Sequence, residues 1–424
     1  MAAPASTIPT ADTGFGAFVA RAAASGLLVV QPRMGMSDPG VMRRGLAATK
    51  NADGCTVGTV TLDSYTRVGD LDAARLAVLG GEGLNGYPIV THDDATTRAV
   101  LDGIRSPEFP VQVRHGSATP FDIFTALIEA GIDASEGGPV SYCLPYGRVP
   151  LETSIDNWAR SCARFAESAD LGMDPHLETF GGCMLGQLCP PSLLVAISAL
   201  EAYFFHYHGI RNISASYAQQ TDFDQDVEAV TALRRLCGEL ISSAAWHVVI
   251  YAYMGVYPST PSGAYSLLGA AARLAKSTGC ERLIVKTEAE SLRIPTIEEN
   301  VSALEHAAAE ASRTAHGVDL PLESQTYTEA RALVTRVLEL NDDPGRALLE
   351  AFRRGYLDVP YCLHPDNRGL TRSYIDDSGR LQWGALGNLP LGDVTEAGAP
   401  RRVTSALLLS SLGFVSRHYD GLPS

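Results

Sequence analysis

The sequence has little that would bind a polyanion, cross a membrane or hold a metal. Its 33 lysines and arginines are outnumbered by 48 aspartates and glutamates, giving a net charge of −15. With no basic stripe against that acidic balance, nucleic acid and an anionic membrane are excluded as main partners. Any anion must be caught by local arginines. The longest apolar run, Leu193 to Leu200, is broken by Ser198 and falls far short of the ~20 residues that a membrane span needs. The cysteines at 55, 143, 162, 183, 189, 237, 280 and 362 form no Cys-x-x-Cys pair and no His/Cys cluster at zinc spacing. They read as reduced, mostly buried thiols of a cytoplasmic protein, and no metal site is expected. The start, Met-Ala-Ala-Pro, shows no basic region followed by an apolar core. Internal repeats, low-complexity tracts and charge blocks are also missing.

What the chain does have is a large apolar fraction in short, regularly spaced runs. At 424 residues and 46% hydrophobic content it can bury a barrel of ~250 residues and an appended unit. After a helix over Phe15 to Ala24, eight β-type runs recur at helix-length intervals. They are Gly26 to Arg33, Thr56 to Leu62, Gly86 to Val90, Pro110 to Val113, Pro139 to Tyr142, Asn212 to Tyr217, His247 to Tyr253 and Arg282 to Lys286. Eight such runs with helical intervals, one of them Pro120 to Ala130, predict an α/β fold: a (β/α)8 TIM barrel over residues 1–320. Beyond Pro321 the pattern changes to a smaller C-terminal α+β extension, 321–424. It holds helices over Tyr327 to Leu340 and Gly345 to Arg354, a hairpin at Asp377-Ser378-Gly379 and a helix over Arg401 to Leu412.

Polar residues gather where the runs end, and in such barrels the carboxyl ends of the strands carry the chemistry. Arg33 closes the first run, Asp63 to Arg67 the second and Arg114-His115 the fourth. Three arginines at equivalent strand ends are expected to converge, and guanidinium forks neutralise carboxylates bidentately. Glu136 beside Gly137-Gly138 suits a counter-ion and base for an ammonium group, with Tyr142 and Tyr146 as hydroxyl donors. Together they suit a small zwitterion with more than one carboxylate. The bland readings are rim ion pairs for the arginines, a rim histidine for His115, a surface turn for Glu136 and packing for the tyrosines. Lys286 stands where a Schiff-base lysine would, yet Glu290 four residues on could equally pair with it, and either could bind sugar hydroxyls. The stretch from Glu178 through Phe180-Gly-Gly to Pro191, before a helix over Ser192 to Tyr207, reads as a lid or wall in which Gly181, Gly182 and Gly186 let backbone approach a ligand.

These residues also fall in a familiar order. The runs Gln31-Pro-Arg33, Thr61-Leu-Asp-Ser-Tyr-Thr-Arg67, Leu84-Asn85-Gly86-Tyr-Pro88, Arg114-His115-Gly116, Glu136-Gly-Gly-Pro-Val-Ser-Tyr142-Cys-Leu-Pro145-Tyr146 and Val285-Lys286-Thr-Glu-Ala-Glu290-Ser-Leu-Arg-Ile294 closely resemble the large (epsilon) subunit family of glutamate mutase, or methylaspartate mutase. The resemblance runs from about residue 25 to 300, and more weakly through Asp358-Val-Pro360 and Gly387-Asn388-Leu-Pro390. It implies a TIM barrel that forms a homodimer and works with a separate small cobalamin-binding subunit. The implied reaction is the adenosylcobalamin-dependent radical rearrangement of L-glutamate to (2S,3S)-3-methylaspartate. By resemblance Arg33, Arg67 and Arg114 with His115 clamp the carboxylates, Tyr142 and Tyr146 add hydrogen bonds, and Glu136 holds the ammonium group and acts as base. Gly35, Asn85, Pro145, Tyr257, Lys286, Glu290 and Ile294 line the adenosyl and corrin side. The cobalamin-ligand string Asp-x-His-x-x-Gly is missing; the nearest, Asp174-Pro-His176-Leu-Glu-Thr179, lacks the glycine. Two rival classes are an aldolase or lyase using a Lys286 imine and a non-catalytic amino-acid-binding homologue.

Overall fold

The computed structural model describes residues 13–81, 83–145, 147–181, 188–291, 293–315, 317, 323–395 and 404–422. Eight parallel strands form its centre: β1 (Val29–Gln31), β2 (Gly58–Thr61), β3 (Val111–Arg114), β4 (Ala134–Gly137), β5 (His176–Thr179), β6 (Asn212–Ala218), β7 (Ala245–Tyr251) and β8 (Arg282–Ile284). From β2 to β8 each strand pairs with the next, and β8 returns to β1 through Val29–Arg282, Val30–Leu283 and Gln31–Ile284. A single parallel bridge, Val30 to Thr56, completes the circle between β1 and β2. With helices alternating outside, this is the expected (β/α)8 barrel. No helix among the described residues is long and apolar enough to cross a membrane.

Six of the eight expected runs form strands. Gly86 to Val90 does not: it touches β2 only through a Leu62–Tyr87 bridge and then turns, with the Thr91 and His92 N–H groups donating to the Pro88 carbonyl. Pro88 has no N–H to offer a ladder, which ends the pairing there. Pro139 to Tyr142 is also a turn, and the strand before it is Ala134–Gly137. The other unrecognised strand, His176–Thr179, overlaps the expected lid or wall only at Glu178 and Thr179. Both unrecognised strands are buried at all four positions, yet they are built from Ala-Ser-Glu-Gly and His-Leu-Glu-Thr. Their inward side chains meet polar partners, so an apolar-run criterion passes over them.

The Phe15–Ala24 helix closes the amino-terminal mouth of the barrel. The Phe15 ring lies 5.0 Å from the His176 ring, and the Arg282 guanidinium stands 5.0 Å over it. After the barrel, the Gln325–Leu338 helix packs on the Pro191–Tyr207 and Phe223–Leu240 helices. The expected hairpin is present as β9 (Arg372–Ile375) and β10 (Leu381–Ala385), tied to the barrel where the Gln225 amide bonds the Leu381 backbone. The last expected helix is described from Ser405 to Leu412; Arg401 lies outside the described residues. A final turn, Phe414–Tyr419, follows, and Asp420 then accepts the Ser259 and Thr260 N–H groups at 2.8 and 3.1 Å.

Gly86 shows why the loop after β2 needs its sequence. A Cβ there would come 2.5 Å from the Leu62 backbone, whereas at Gly83 it would meet nothing within 4 Å. Gly86→Ala should therefore cost about 1–3 kcal/mol in urea unfolding, as overpacking does. Gly83→Ala should stay within about 0.5 kcal/mol of the parent, as surface substitutions do.

Candidate active site

The barrel interior is polar along its length, and every strand contributes. Arg282 on β8 is fully buried and donates to Glu178 on β5, to Ser214 on β6 at 2.9 Å and to Gln31 on β1. The Gln31 amide donates to Thr59 on β2 at 2.9 Å and to Gln112 on β3 at 2.7 Å. Gln112 in turn donates to the Ser135 carbonyl on β4 and to Glu178. Ser214 also meets His176 at 2.6 Å and His247 on β7 at 3.0 Å. Burial pushes His176 down to about 3, so it is neutral and tied to a serine deep in the barrel.

One turn higher, at the carboxyl ends of β3, β4 and β5, the ladder becomes a charged group. Arg114 ends β3 and is buried; it donates to the Tyr251 hydroxyl at 2.9 Å, to Glu178 at 3.4 Å and to Glu136 at 3.3 Å. Burial opposes its charge, but Glu136, Tyr251 and Glu178 outweigh that and keep it protonated. Burial likewise raises the Glu178 carboxyl, but Arg282 and then Arg114 hold it below the ordinary carboxylate value. Glu136 goes the other way: burial pushes its carboxyl up, and Arg114 recovers only part of the shift. It accepts the Tyr142 hydroxyl, the His115 N–H at 3.1 Å and Arg114.

Two groups beside Glu136 remain available to a ligand. Arg67 stands on the short Ser64–Val68 helix, whose first turn is capped by Asp63. Its Nε donates to the His115 carbonyl at 3.1 Å, and among the described residues no carboxylate pairs with it. His115 is buried and pushed down to about 3 by burial and then by Arg67 and Arg114. Its Nδ1 accepts the Ser117 N–H at 3.0 Å, which leaves the proton on Nε2, an N–H with no partner among the described residues. Trp158 stacks on this imidazole at 5.6 Å, and Phe180 packs 4.8 Å from Tyr142 and 5.2 Å from Tyr251. These rings wall the charged group from water.

A second cluster follows β1, β7 and β8. Arg33 pairs with Glu290 at 3.0 Å, and Glu290 also meets Lys286 at 3.5 Å. The Lys286 ammonium lies 4.8 Å over the Tyr257 ring, and burial lowers its pKa more than Glu290 restores it. The buried Tyr257 hydroxyl has no partner among the described residues.

The expected residues thus divide in two. Arg67, Arg114, His115, Glu136 and Tyr142 share one group; Arg33, Lys286, Glu290 and Tyr257 share the other. Arg33 enters the second group through Glu290, while Arg67 and Arg114 meet around His115 and Glu136. Gly35 is held against the Thr61 carbonyl, where a Cβ would overlap it. Asn85 is exposed and accepts the Ser64 N–H at 2.9 Å. Ile294 is 56% exposed. Pro145 lines a cavity of about 800 Å³ with Leu144, Leu188, Leu363 and Leu412. Tyr146, Gly182 and Gly186 lie outside the described residues. Gly181 serves packing: a Cβ there would come 2.9 Å from Ile197 and Ser198 of the following helix.

The order of these groups along the chain has a counterpart in other proteins. The family model for methylaspartate mutase E chain (MutE) matches residues 8–405. The chain belongs to the MutE family. Its relatives include the glutamate mutase epsilon subunit of Halobacterium salinarum, 31% identical over 353 residues, covering 79% of this chain and 72% of that protein. The glutamate mutase epsilon subunit of Haloarcula marismortui is 30% identical over 391 residues, 86% and 77% of the two chains. That of Escherichia coli O157:H7 is 28% identical over 402 residues, 89% and 81% of the two chains. Among solved structures, a truncated 3-deoxy-D-arabino-heptulosonate 7-phosphate synthase from Thermotoga maritima aligns with TM-score 0.37 and 10% identity over 68% of this chain and 86% of that one.

The MutE-family barrel has two interior charges that the sequence reading did not place in the site, Glu178 and Arg282. A signal existed for Arg282, since a cation opening a strand covered on both faces must find a buried partner. For Glu178 the signal was the alternation His176-x-Glu178, a polar period of two that an apolar template ignores. Glu178→Gln should cost about 3 kcal/mol or more at pH 7 by leaving two buried guanidinium groups with one carboxylate fewer. The Glu178 pKa is depressed on folding, so its stabilisation is full above the unfolded carboxylate value of about 4.3 and is lost as pH falls below it. Chemical denaturation at pH 7 and pH 3.5 should show the gap between parent and variant narrowing at the lower pH.

Proposed function

We propose that this chain is the catalytic large subunit of an adenosylcobalamin-dependent glutamate mutase, interconverting L-glutamate and (2S,3S)-3-methylaspartate with a separate small cobalamin-binding subunit. The observation that carries this reading is the group of half-buried Arg67 with buried Arg114, His115, Glu136 and Tyr142 at the carboxyl mouth of the barrel. It offers carboxylates a guanidinium without a carboxylate partner and an imidazole N–H without a hydrogen-bond partner among the described residues, beside a carboxyl suited to an ammonium group. In this reading Arg67, Arg114 and His115 hold the substrate carboxylates, Tyr142 adds a hydrogen bond, and Glu136 receives the ammonium group. Because Glu136 is pushed up by burial, it can take a proton from that group and return it. Phe180, Trp158 and Tyr251 keep water and stray hydrogen donors away from a reactive substrate.

The second cluster fits the nucleoside part of the cofactor. Tyr257 has a buried hydroxyl in want of a partner, and Lys286 with Glu290 offers donors and an acceptor suited to ribose hydroxyls. Gly35, Asn85, Pro145 and Ile294 complete this side by resemblance. When bound, adenosylcobalamin supplies the cobalt–carbon bond whose homolysis begins the radical chemistry. The exposed Ile294, Val256, Val68 and Leu79, all in segments that follow strands, support docking of a second subunit over the same mouth.

The test is reconstitution with the small subunit, adenosylcobalamin and L-glutamate, which should yield 3-methylaspartate; no product from an assembled complex sinks the reading. Arg67→Lys should lower kcat/KM by about 30-fold or more, chiefly through KM, because a lysine cannot replace a bidentate fork. Borohydride with a carbonyl substrate should leave Lys286 unlabelled; a labelled Lys286 would favour the imine lyase instead.

A further inference from the structure

The buried face of the Pro191–Tyr207 helix is apolar apart from Ser192, Ser198 and one carboxyl group. Glu201 is fully buried there. Its Oε1 accepts the Val140 N–H at 3.0 Å and the Ser141 N–H at 2.9 Å, while Oε2 has no partner among the described residues. A Cβ on Gly138 would overlap the Glu201 carboxyl, so a glycine at 138 is what lets the backbone close around it. Burial pushes this carboxyl up to about 7, against the pull of the Ser141 and Val140 N–H groups, and among the described residues no salt bridge reaches it. A buried acid without a counter-ion is costly, and costs of that kind gather where a site must be held in one geometry.

The turn that Glu201 grips joins two members of the charged group. It leaves β4 just after Glu136 and ends at Tyr142, whose hydroxyl donates back to Glu136. Gly137, with φ +136°, brings the other side of the turn against the Tyr142 and Trp158 rings. The segment is thus pinned by aromatic rings on one side and by Glu201 on the other.

We propose that Glu201 is a positioning residue for the reaction: seated in the Gly138–Ser141 turn, its carboxyl group holds the Tyr142 hydroxyl on Glu136. This rests on the glutamate mutase reading, in which Glu136 and Tyr142 meet the substrate. Losing the grip leaves the arginines free to bind the diacid but lets the Glu136–Tyr142 pair drift. The expected signature is a fall in kcat with little change in KM.

The test uses the full chain reconstituted with its small subunit and adenosylcobalamin. Glu201→Ala should lower kcat at least about tenfold with KM within about threefold. Glu201→Gln, whose amide oxygen still accepts both N–H groups, should recover to within about threefold of the parent. Gly138→Ala, which expels the carboxyl while keeping Glu201, should copy the alanine variant and stands in for it should that variant not fold. Hydrogen exchange of the Val140 and Ser141 amides in the full chain should quicken at least about tenfold in Glu201→Ala and not in Glu201→Gln. A folded alanine variant with parental kcat, a glutamine variant no better than alanine, or unchanged exchange overturns the proposal. A parental complex that makes no methylaspartate sinks the mutase reading instead, and the exchange rates then still decide whether Glu201 holds the turn.

Discussion

Two buried arginines that share one glutamate set the terms for everything else in this molecule. Glu178 stands between Arg282 from the floor of the barrel and Arg114 from its rim. Removing three charges from water costs several kcal/mol for each ion, and only close contacts and further hydrogen bonds offset that. The polar lining of Gln31, Gln112, Ser214 and Tyr251 supplies those bonds. An interior filled with aliphatic layers, as barrels of this class usually have, would leave the rim arginine without support.

That support explains how Arg114 can stand at the barrel rim without moving. Its guanidinium spends one nitrogen on Glu178 and Tyr251 and the other on Glu136. The two glutamates are driven apart electrically, since Arg282 and Arg114 hold one ionised while burial biases the other toward its neutral form. Pairs of carboxyls separated in this way are typical of sites that move protons. Glu178 fixes geometry, and Glu136 keeps the chemical freedom.

Much of this was legible in the residues, and the gaps have physical causes. Runs with aliphatic centres, such as Val248-Val249-Ile250 in His247 to Tyr253 and Leu283-Ile284-Val285 in Arg282 to Lys286, announced their strands because those side chains are buried. Strands β4 and β5 stayed hidden because their inward residues satisfy polar neighbours that are distant in sequence. Gly86 to Val90 mimicked a strand by composition, while Pro88 removed the donor it needed. The candidate residues at 67, 114, 115, 136 and 142 were drawn together as their strand-end positions implied. Arg33 pairs with Glu290, 257 residues away, a contact that strand-end spacing could not announce. Spacing reveals which rim a side chain occupies; it does not reveal which opposite charge reaches it first.

The single bridge between Val30 and Thr56 gives the barrel a seam, and its position bears on how the chain comes together. Strands β2 to β7 can assemble in order as the polypeptide lengthens, but Glu178 then faces the interior with only Arg114 for company. Its second cation arrives with β8, the last stave, which also brings β1 into the circle through three residue pairs. A half-barrel fragment would carry an under-compensated carboxylate at its heart. The architecture therefore resists division into autonomous halves, and the charged rim comes into being only when the ring is finished.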